Sequence, residues 1–257
     1  MSADGEHLAV NRAYWQGMAH DWVASGEVAW TEEPNWGLWD IPESELRLLP
    51  DDMKGLSAIE LGCGTAYVSA WMVRRGAAVT GIDISEKQLQ TARRLASEHD
   101  LEMTLIEGNA ESTGLPDAAF DFAISEYGAA IWCDPQLWLR EAWRLLKPGG
   151  ILVFLGHHPL MIACSPLTGA PCDSGLHRPY RGMEKVDWRH VEIDPGGIEF
   201  NRPVSSWMAL FAEIGFAVTG YDELYAPEKL QGNRFSVPAE WARAYPSEQV
   251  WRLQKPA

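Results

Sequence analysis

Residues 57–85 read SAIELGCGTAYVSAWMVRRGAAVTGIDIS, and the reading of the whole chain starts from them. A short apolar run, Ala58-Ile59-Glu60-Leu61, leads into Gly62-Cys63-Gly64-Thr65. Val68, Trp71, Met72 and Arg75 follow at helical spacing, and a second apolar run ends at Ile82-Asp83. The pattern predicts a strand, a glycine turn, a helix and a second strand with an acid at its carboxyl end. Glycines without Cβ atoms let the turn tighten and a ligand press against the backbone, while the helix start offers unpaired N–H groups. Asp83 stands roughly 20 residues beyond the turn, where a carboxylate accepts hydrogen bonds from ribose hydroxyls. A ribose-bearing ligand is therefore expected.

A dinucleotide fingerprint would place a third glycine where Tyr67 stands, so that pattern is incomplete. Glu60 points an acid at the turn, which repels a pyrophosphate and suits an ammonium group. The stretch Glu60-Leu61-Gly62-Cys63-Gly64-Thr65 resembles motif I of the class I methyltransferases that use S-adenosylmethionine. The resemblance implies an α/β, Rossmann-like fold, a mostly parallel seven-stranded sheet with helices on both faces. It sets Gly62, Cys63, Gly64 and Thr65 against the amino-acid part of that cofactor, with Glu60 beside them. Asp83 with Ile84 would hold the ribose, and Gln88 stands at the start of the helix that Ser85 caps.

The resemblance continues in order down the chain. Met103 to Glu107 reads as a third strand, and the turn after it would face the adenine through Asn109, Ala110 and Glu111. Leu115-Pro116-Asp117 and Phe120-Asp121 resemble an element of small-molecule methyltransferases near the group that C-methylates ubiquinone and menaquinone. A fourth strand then delivers Glu126-Tyr127-Gly128 to the carboxyl edge, with Glu126 at the cofactor. Enzymes that methylate amino groups of DNA or of protein glutamine carry a [DN]-P-P-[YF] turn there, which Ser125-Glu126-Tyr127-Gly128 lacks. Asp134-Pro135 opens a helix that Lys147-Pro148-Gly149-Gly150 ends before a fifth strand, 151–155.

The flanks carry weaker patterns. Residues 8–24 read as a helix ended by Ser25-Gly26, and 42–49 as a short helix closed by Pro50. The expected organisation is a helical, aromatic cap over 1–50 and a methyltransferase domain over 51–257, with a lid insert at 157–203. Five of the 13 tryptophans precede the core; most would pack the cap on the sheet. The resemblance singles out Tyr14 and Trp22 as aromatic covers of the cofactor. In the insert, 188–193 and 197–200 read as a hairpin. The last helix is expected at 204–215, and strands at 216–221 and 249–253 would complete the sheet.

Methyl transfer from a sulfonium needs an in-line acceptor and exclusion of water; a base is required only if the acceptor must lose a proton. His157 and His158, just past the fifth strand, are the candidates for that base, with a polar loop role as the alternative for each. Tyr127 would orient the acceptor. Relatives that methylate arsenic use cysteines, but the spacing of Cys133, Cys164 and Cys172 matches no paired metal motif, so free thiols and no metal are expected.

A net charge of −15 argues against a nucleic-acid partner, and no apolar run approaches a membrane span. The amino terminus lacks a secretory pattern, which with the thiols points to the cytoplasm. The expectation is a methyltransferase acting on O, N or C of a small planar or apolar acceptor. A non-catalytic S-adenosylmethionine-binding protein is the alternative, and an NAD-dependent oxidoreductase is disfavoured by Glu60 and Tyr67. The acceptor's identity, the methylated atom and the oligomeric state stay open at this level.

Overall fold

Alternating strand and helix patterns place successive strands in one parallel sheet, because each crossover helix returns the chain to the same edge. The computed structural model describes residues 5–257 and realises this as a seven-stranded sheet. Its strands are β1 (Ser57–Leu61), β2 (Ala78–Asp83), β3 (Thr104–Glu107), β4 (Phe120–Glu126), β5 (Leu146–His157), β6 (Ala217–Leu224) and β7 (Glu248–Gln254), in the order β6-β7-β5-β4-β1-β2-β3. Only β7 runs against its neighbours. The order reverses between β1 and β4, so a crevice opens at their carboxyl ends, where sheets of this kind bind ligands.

Alternation along the strands feeds two cores. Leu152 and Phe154 of β5 face the helices Pro135–Leu145 and Val204–Ile214, where Trp138, Phe211 and Trp251 meet them. Val153 and Leu155 face the opposite side, with Val68, Trp71 and Met72 of the helix Tyr67–Arg74. Trp138 meets the Phe154 ring edge-on at 5.3 Å. Burial of each such large side chain contributes about 1.5–3 kcal/mol.

The flanks depart from the sequence reading in four places. The amino-terminal helix runs Glu6–Met18, and a second, Val23–Thr31, passes straight through Ser25-Gly26. Gly26 is there for proximity, since a Cβ on it would stand 2.8 Å from the Thr65 hydroxyl. It lets the second helix lie against the glycine turn. The helical turn Glu43–Leu46 ends at Arg47 in the left-handed conformation, before Pro50 is reached. There the Glu43 carboxylate accepts from the N–H groups of Leu48 and Leu49 and from the Trp36 indole.

In the insert, the paired segments are Lys185–Asp187 and Ile198–Phe200, so the turn region between them is longer than the pattern suggested. A short helix, Ala239–Ala244, follows the helix expected to be last. No helix among the described residues is long and apolar enough to cross a membrane.

Candidate functional site

A cavity of about 350 Å³ opens at the carboxyl edge of β1, β2 and β4. At one end lies the glycine turn. Gly62 sits at φ +77°, and a Cβ there would come within 2.7 Å of the Gly128 Cα, so the turn after β1 and the turn after β4 close on each other only with glycine. Asp83 is fixed from both sides: Oδ2 accepts from Gly64 N at 2.8 Å and Oδ1 from Ser85 N at 2.8 Å. A carboxylate has four acceptor positions, so two remain for hydroxyl donors. Burial raises its pKa despite these bonds.

Glu60 is buried behind the turn. Its Oε2 accepts from the backbone N–H and the hydroxyl of Ser69. Desolvation outweighs those bonds and pushes its pKa up to about 8. Without a cation the carboxyl is therefore largely protonated at neutral pH; a neighbouring ammonium would ionise it. Ser85 caps the helix Glu86–Glu98 by accepting from Gln88 N. The Gln88 side chain does not return the bond: its Oε1 is buried without a partner and the residue lines the cavity. Ile84, Cys63, Thr65, Asn109 and Ala110 line it too.

The other end is built from distant segments. Glu126 accepts from Gly37 N at 3.2 Å and from the Tyr67 hydroxyl. Tyr127, held at φ +53°, donates its hydroxyl to Glu248 at 2.7 Å, and the same Glu248 oxygen accepts from Leu38 N at 2.9 Å. Burial pushes Glu248 up to about 7 and raises Glu126. His157 meets the Tyr127 ring edge-on at 4.9 Å and gives Nδ1 to Glu199 at 2.8 Å. Tyr14, Trp15 and Trp132 form an aromatic wall of the cavity, and Trp22 stacks on Phe235 at 5.7 Å across the mouth.

Two of the expected site residues lie elsewhere. His158 does not line the cavity: successive side chains at a strand end point to opposite faces, so His157 and His158 cannot both enter it. Its Nδ1 accepts from Leu160 N at 3.1 Å, capping a short helix, and its Nε2 lies 3.3 Å from Glu223. Burial lowers its pKa. Glu111 is drawn away from the cavity. Its Oε1 bonds His7 Nε2 at 2.6 Å and accepts from Asp134 N at 2.7 Å, tying the amino-terminal helix to the start of the helix Pro135–Leu145.

Cys63 and Cys133 line the cavity as thiols whose pKa burial raises, while Cys164 and Cys172 pack within the insert. All four cysteines are free, and no group of three or more metal-ligating side chains converges among the described residues.

Sequence reading missed Glu199, Glu248 and Asn11. Glu248 was findable from register, because antiparallel pairing of β7 with β5 sets it opposite His157. Glu199 and Asn11 lie in flanking segments whose pairing no local pattern reveals.

By this order of strands, with the glycine turn and acid at its switch point, the chain has the class I methyltransferase fold. A family profile described as "Methyltransferase domain" matches residues 59–154. The chain is 39% identical over 103 residues to a demethylmenaquinone methyltransferase of Listeria monocytogenes serotype 4a, a match covering 38% of this chain and 44% of that protein. It thus spans somewhat less than half the length of this curated relative.

Solved structures extend the likeness beyond that core. An S-adenosylmethionine-dependent methyltransferase from Mesorhizobium loti superposes with a TM-score of 0.65 at 24% identity, over 81% of this chain and 94% of that one. A 1,6-didemethyltoxoflavin-N1-methyltransferase from Burkholderia thailandensis, bound to its acceptor and S-adenosylhomocysteine, gives 0.60 at 16% identity over 100% and 92%. The profile match places residues 59–154 in a methyltransferase domain, and the solved structures share the fold over most of the chain.

Proposed function

We propose that the protein transfers a methyl group from S-adenosylmethionine to a small, planar or apolar acceptor. The observation that carries this reading is one cavity with two different ends. The glycine-turn end offers Asp83 for a ribose diol, Glu60 for an ammonium group and the unpartnered Gln88 oxygen for a further donor. These residues fit the cofactor's polar groups. Tyr14 and Trp22 cover it, and Asn109 with Ala110 take the adenine side. When bound, S-adenosylmethionine supplies a methyl group on a positively charged sulfur that departs as a neutral thioether.

At the acceptor end the chain's own residues orient and enclose. Tyr127 has its hydroxyl held by Glu248 and its ring against His157, and the aromatic wall excludes water from the line of transfer. His157 serves as the base where the acceptor must lose a proton. The relatives that methylate quinone precursors support an aromatic acceptor. The expected sites at His158 and Glu111 are not part of this reading. We read the chain as a cap over 1–50 and a methyltransferase domain over 51–257 with a lid insert at 157–203, the cap supplying Tyr14, Trp22, Gly37 and Leu38 to the cavity lining.

The test is incubation with methyl-labelled S-adenosylmethionine and a panel of small aromatic acceptors, read by mass spectrometry. The expected result is a product heavier by one labelled methyl group, with equimolar S-adenosylhomocysteine. Tight cofactor binding without transfer to any acceptor would favour a non-catalytic binding protein.

A further inference from the structure

The insert acts on the cavity wall from behind, through a side chain that lines only the smaller neighbouring cavity and holds His157. Glu199 is the middle residue of Ile198–Phe200 and only 2% exposed. Both its oxygens are engaged: Oε1 takes His157 Nδ1 at 2.8 Å, and Oε2 accepts from the Trp188 indole at 2.9 Å. A carboxylate is an acceptor only, so its partner nitrogen carries the hydrogen. His157 Nδ1 is then the N–H, and in the neutral ring Nε2 holds a bare lone pair. Nε2 has no protein partner among the described residues, while the ring lines both the main cavity and a smaller one of about 150 Å³ next to it.

The surrounding structure fixes this pair. The His157 carbonyl accepts from Asn201 at 2.9 Å and Gln249 at 3.1 Å. Asn11 of the amino-terminal helix clamps the strand that carries Glu199. Its Oδ1 accepts from Ile198 N at 2.8 Å, and its Nδ2 donates to Ile198 O at 2.9 Å. Cap, insert and sheet thus converge on one imidazole.

We propose that Glu199 and His157 form a dyad in which Glu199, as a positioning residue, holds the ring with Nε2 bare to the cavity. We infer with it that the acceptor is a hydroxyl compound, a phenol, hydroquinone or enol, that gives its proton to that nitrogen. This rests on the methyltransferase reading and names the acceptor class for it. The O–H bond breaks, its proton goes to Nε2, and its electron pair stays on the acceptor as the nucleophile, at oxygen or at a conjugated carbon. The imidazolium formed is matched by Glu199 and later returns its proton to water. An amine acceptor arriving neutral would not need this arrangement before transfer.

The groups facing His157 are Glu199 and Glu248, with the Tyr127 ring edge-on against it; Arg178 lies over Trp188 near Glu199. Burial alone lowers the His157 pKa, and the two carboxylates outweigh it and raise it.

The experiment is ¹⁵N NMR of the histidines in the whole protein, with His157 assigned through His157→Gln, alongside methyl transfer to catechol, 1,4-hydroquinone and benzylamine. Wild-type His157 is expected as the Nδ1–H tautomer. Glu199→Gln should lower its titration midpoint by about one pH unit and move the acid limb of kcat/KM with it. The same variant should slow transfer to the hydroxyl probes by about 100-fold or more. Its S-adenosylhomocysteine affinity should stay within about threefold, given as a bound on uniform effects.

An Nε2–H tautomer in the wild type would overturn the dyad. Equal rates in Glu199→Gln, or transfer to benzylamine but to neither hydroxyl probe, would overturn the acceptor class. No transfer to any of the three by a protein that binds the cofactor would count against that class as well. Failure to bind S-adenosylhomocysteine would instead remove the methyltransferase reading and leave the tautomer result standing.

Discussion

The two ends of the cavity are made in different ways. The glycine-turn end comes from consecutive segments between Ser57 and Ala110, each delivered by the strand before it. The other end takes Gly37 and Leu38 from the cap, Tyr127 from the turn after β4, held by Glu248 of β7, and His157 from β5, held by Glu199 of the insert. Local chain geometry builds the first, and tertiary contacts across some two hundred residues build the second. Substitutions should therefore separate cofactor binding from turnover.

The largest separation is expected at Asp83. Asp83→Asn keeps the size of the side chain but removes the charge that the N–H groups of Gly64 and Ser85 and the ribose hydroxyls share. Hydrogen bonds to a charged group contribute about 1.5–3 kcal/mol each, so S-adenosylhomocysteine binding should weaken by at least about 100-fold. Calorimetry reads this directly. Retained affinity would mean that the ribose lies elsewhere.

Tyr127→Phe addresses the opposite end. It leaves the ring against His157 and removes only the hydroxyl that Glu248 accepts. Acceptor turnover should fall by about tenfold to 100-fold while cofactor affinity is unchanged. A fall in cofactor affinity of the same size would merge the two ends into one.

Glu60 sharpens the comparison through pH. Its folded-state pKa of about 8 lies above the ordinary value, so it is protonated in the free protein below that pH. A ligand ammonium favours the carboxylate, so binding at pH 6.5 should release protons, up to about one per site. Titrations in buffers of different ionisation enthalpy measure this number. Affinity contributed by Glu60 should rise with pH towards 8 and level off above it.

The stability sign is the reverse. A carboxyl whose folded pKa is raised destabilises the fold progressively as pH rises above the unfolded value. Glu60→Gln should thus raise Tm at pH 7 by about 3 °C while weakening cofactor binding. A lower Tm would show that the Ser69 bonds outweigh burial.

The smallest effect belongs to the mouth. Trp22→Ala removes the stack on Phe235, a contact of about 0.5–1.5 kcal/mol beyond its buried area. Cofactor affinity should fall by about threefold to tenfold, through faster release. An unchanged release rate would make the pair packing alone.

What was legible in the sequence follows the same divide. The seven strands, the Ser85 and Asp134 caps and the Asp83 position are local, and short-range patterns record them. Ser25-Gly26 reads as a helix end, yet the helix Val23–Thr31 runs through it, because Gly26 serves an approach to Thr65. The hairpin of the insert was shifted because Trp188 and Glu192 alternate like strand residues but lie in its loop. His158 and His157 are equivalent in sequence and opposite in space. Glu111 looked like a turn residue facing a ligand until His7, over a hundred positions away, claimed its carboxylate.

The central claim is that the glycine-turn end holds S-adenosylmethionine. Calorimetric titration of the wild-type protein with S-adenosylhomocysteine and, separately, with NAD tests it most directly. The account predicts saturable one-to-one binding of S-adenosylhomocysteine, lost in Asp83→Asn, and no heat from NAD. Binding of NAD alone, or S-adenosylhomocysteine affinity indifferent to Asp83, would contradict it.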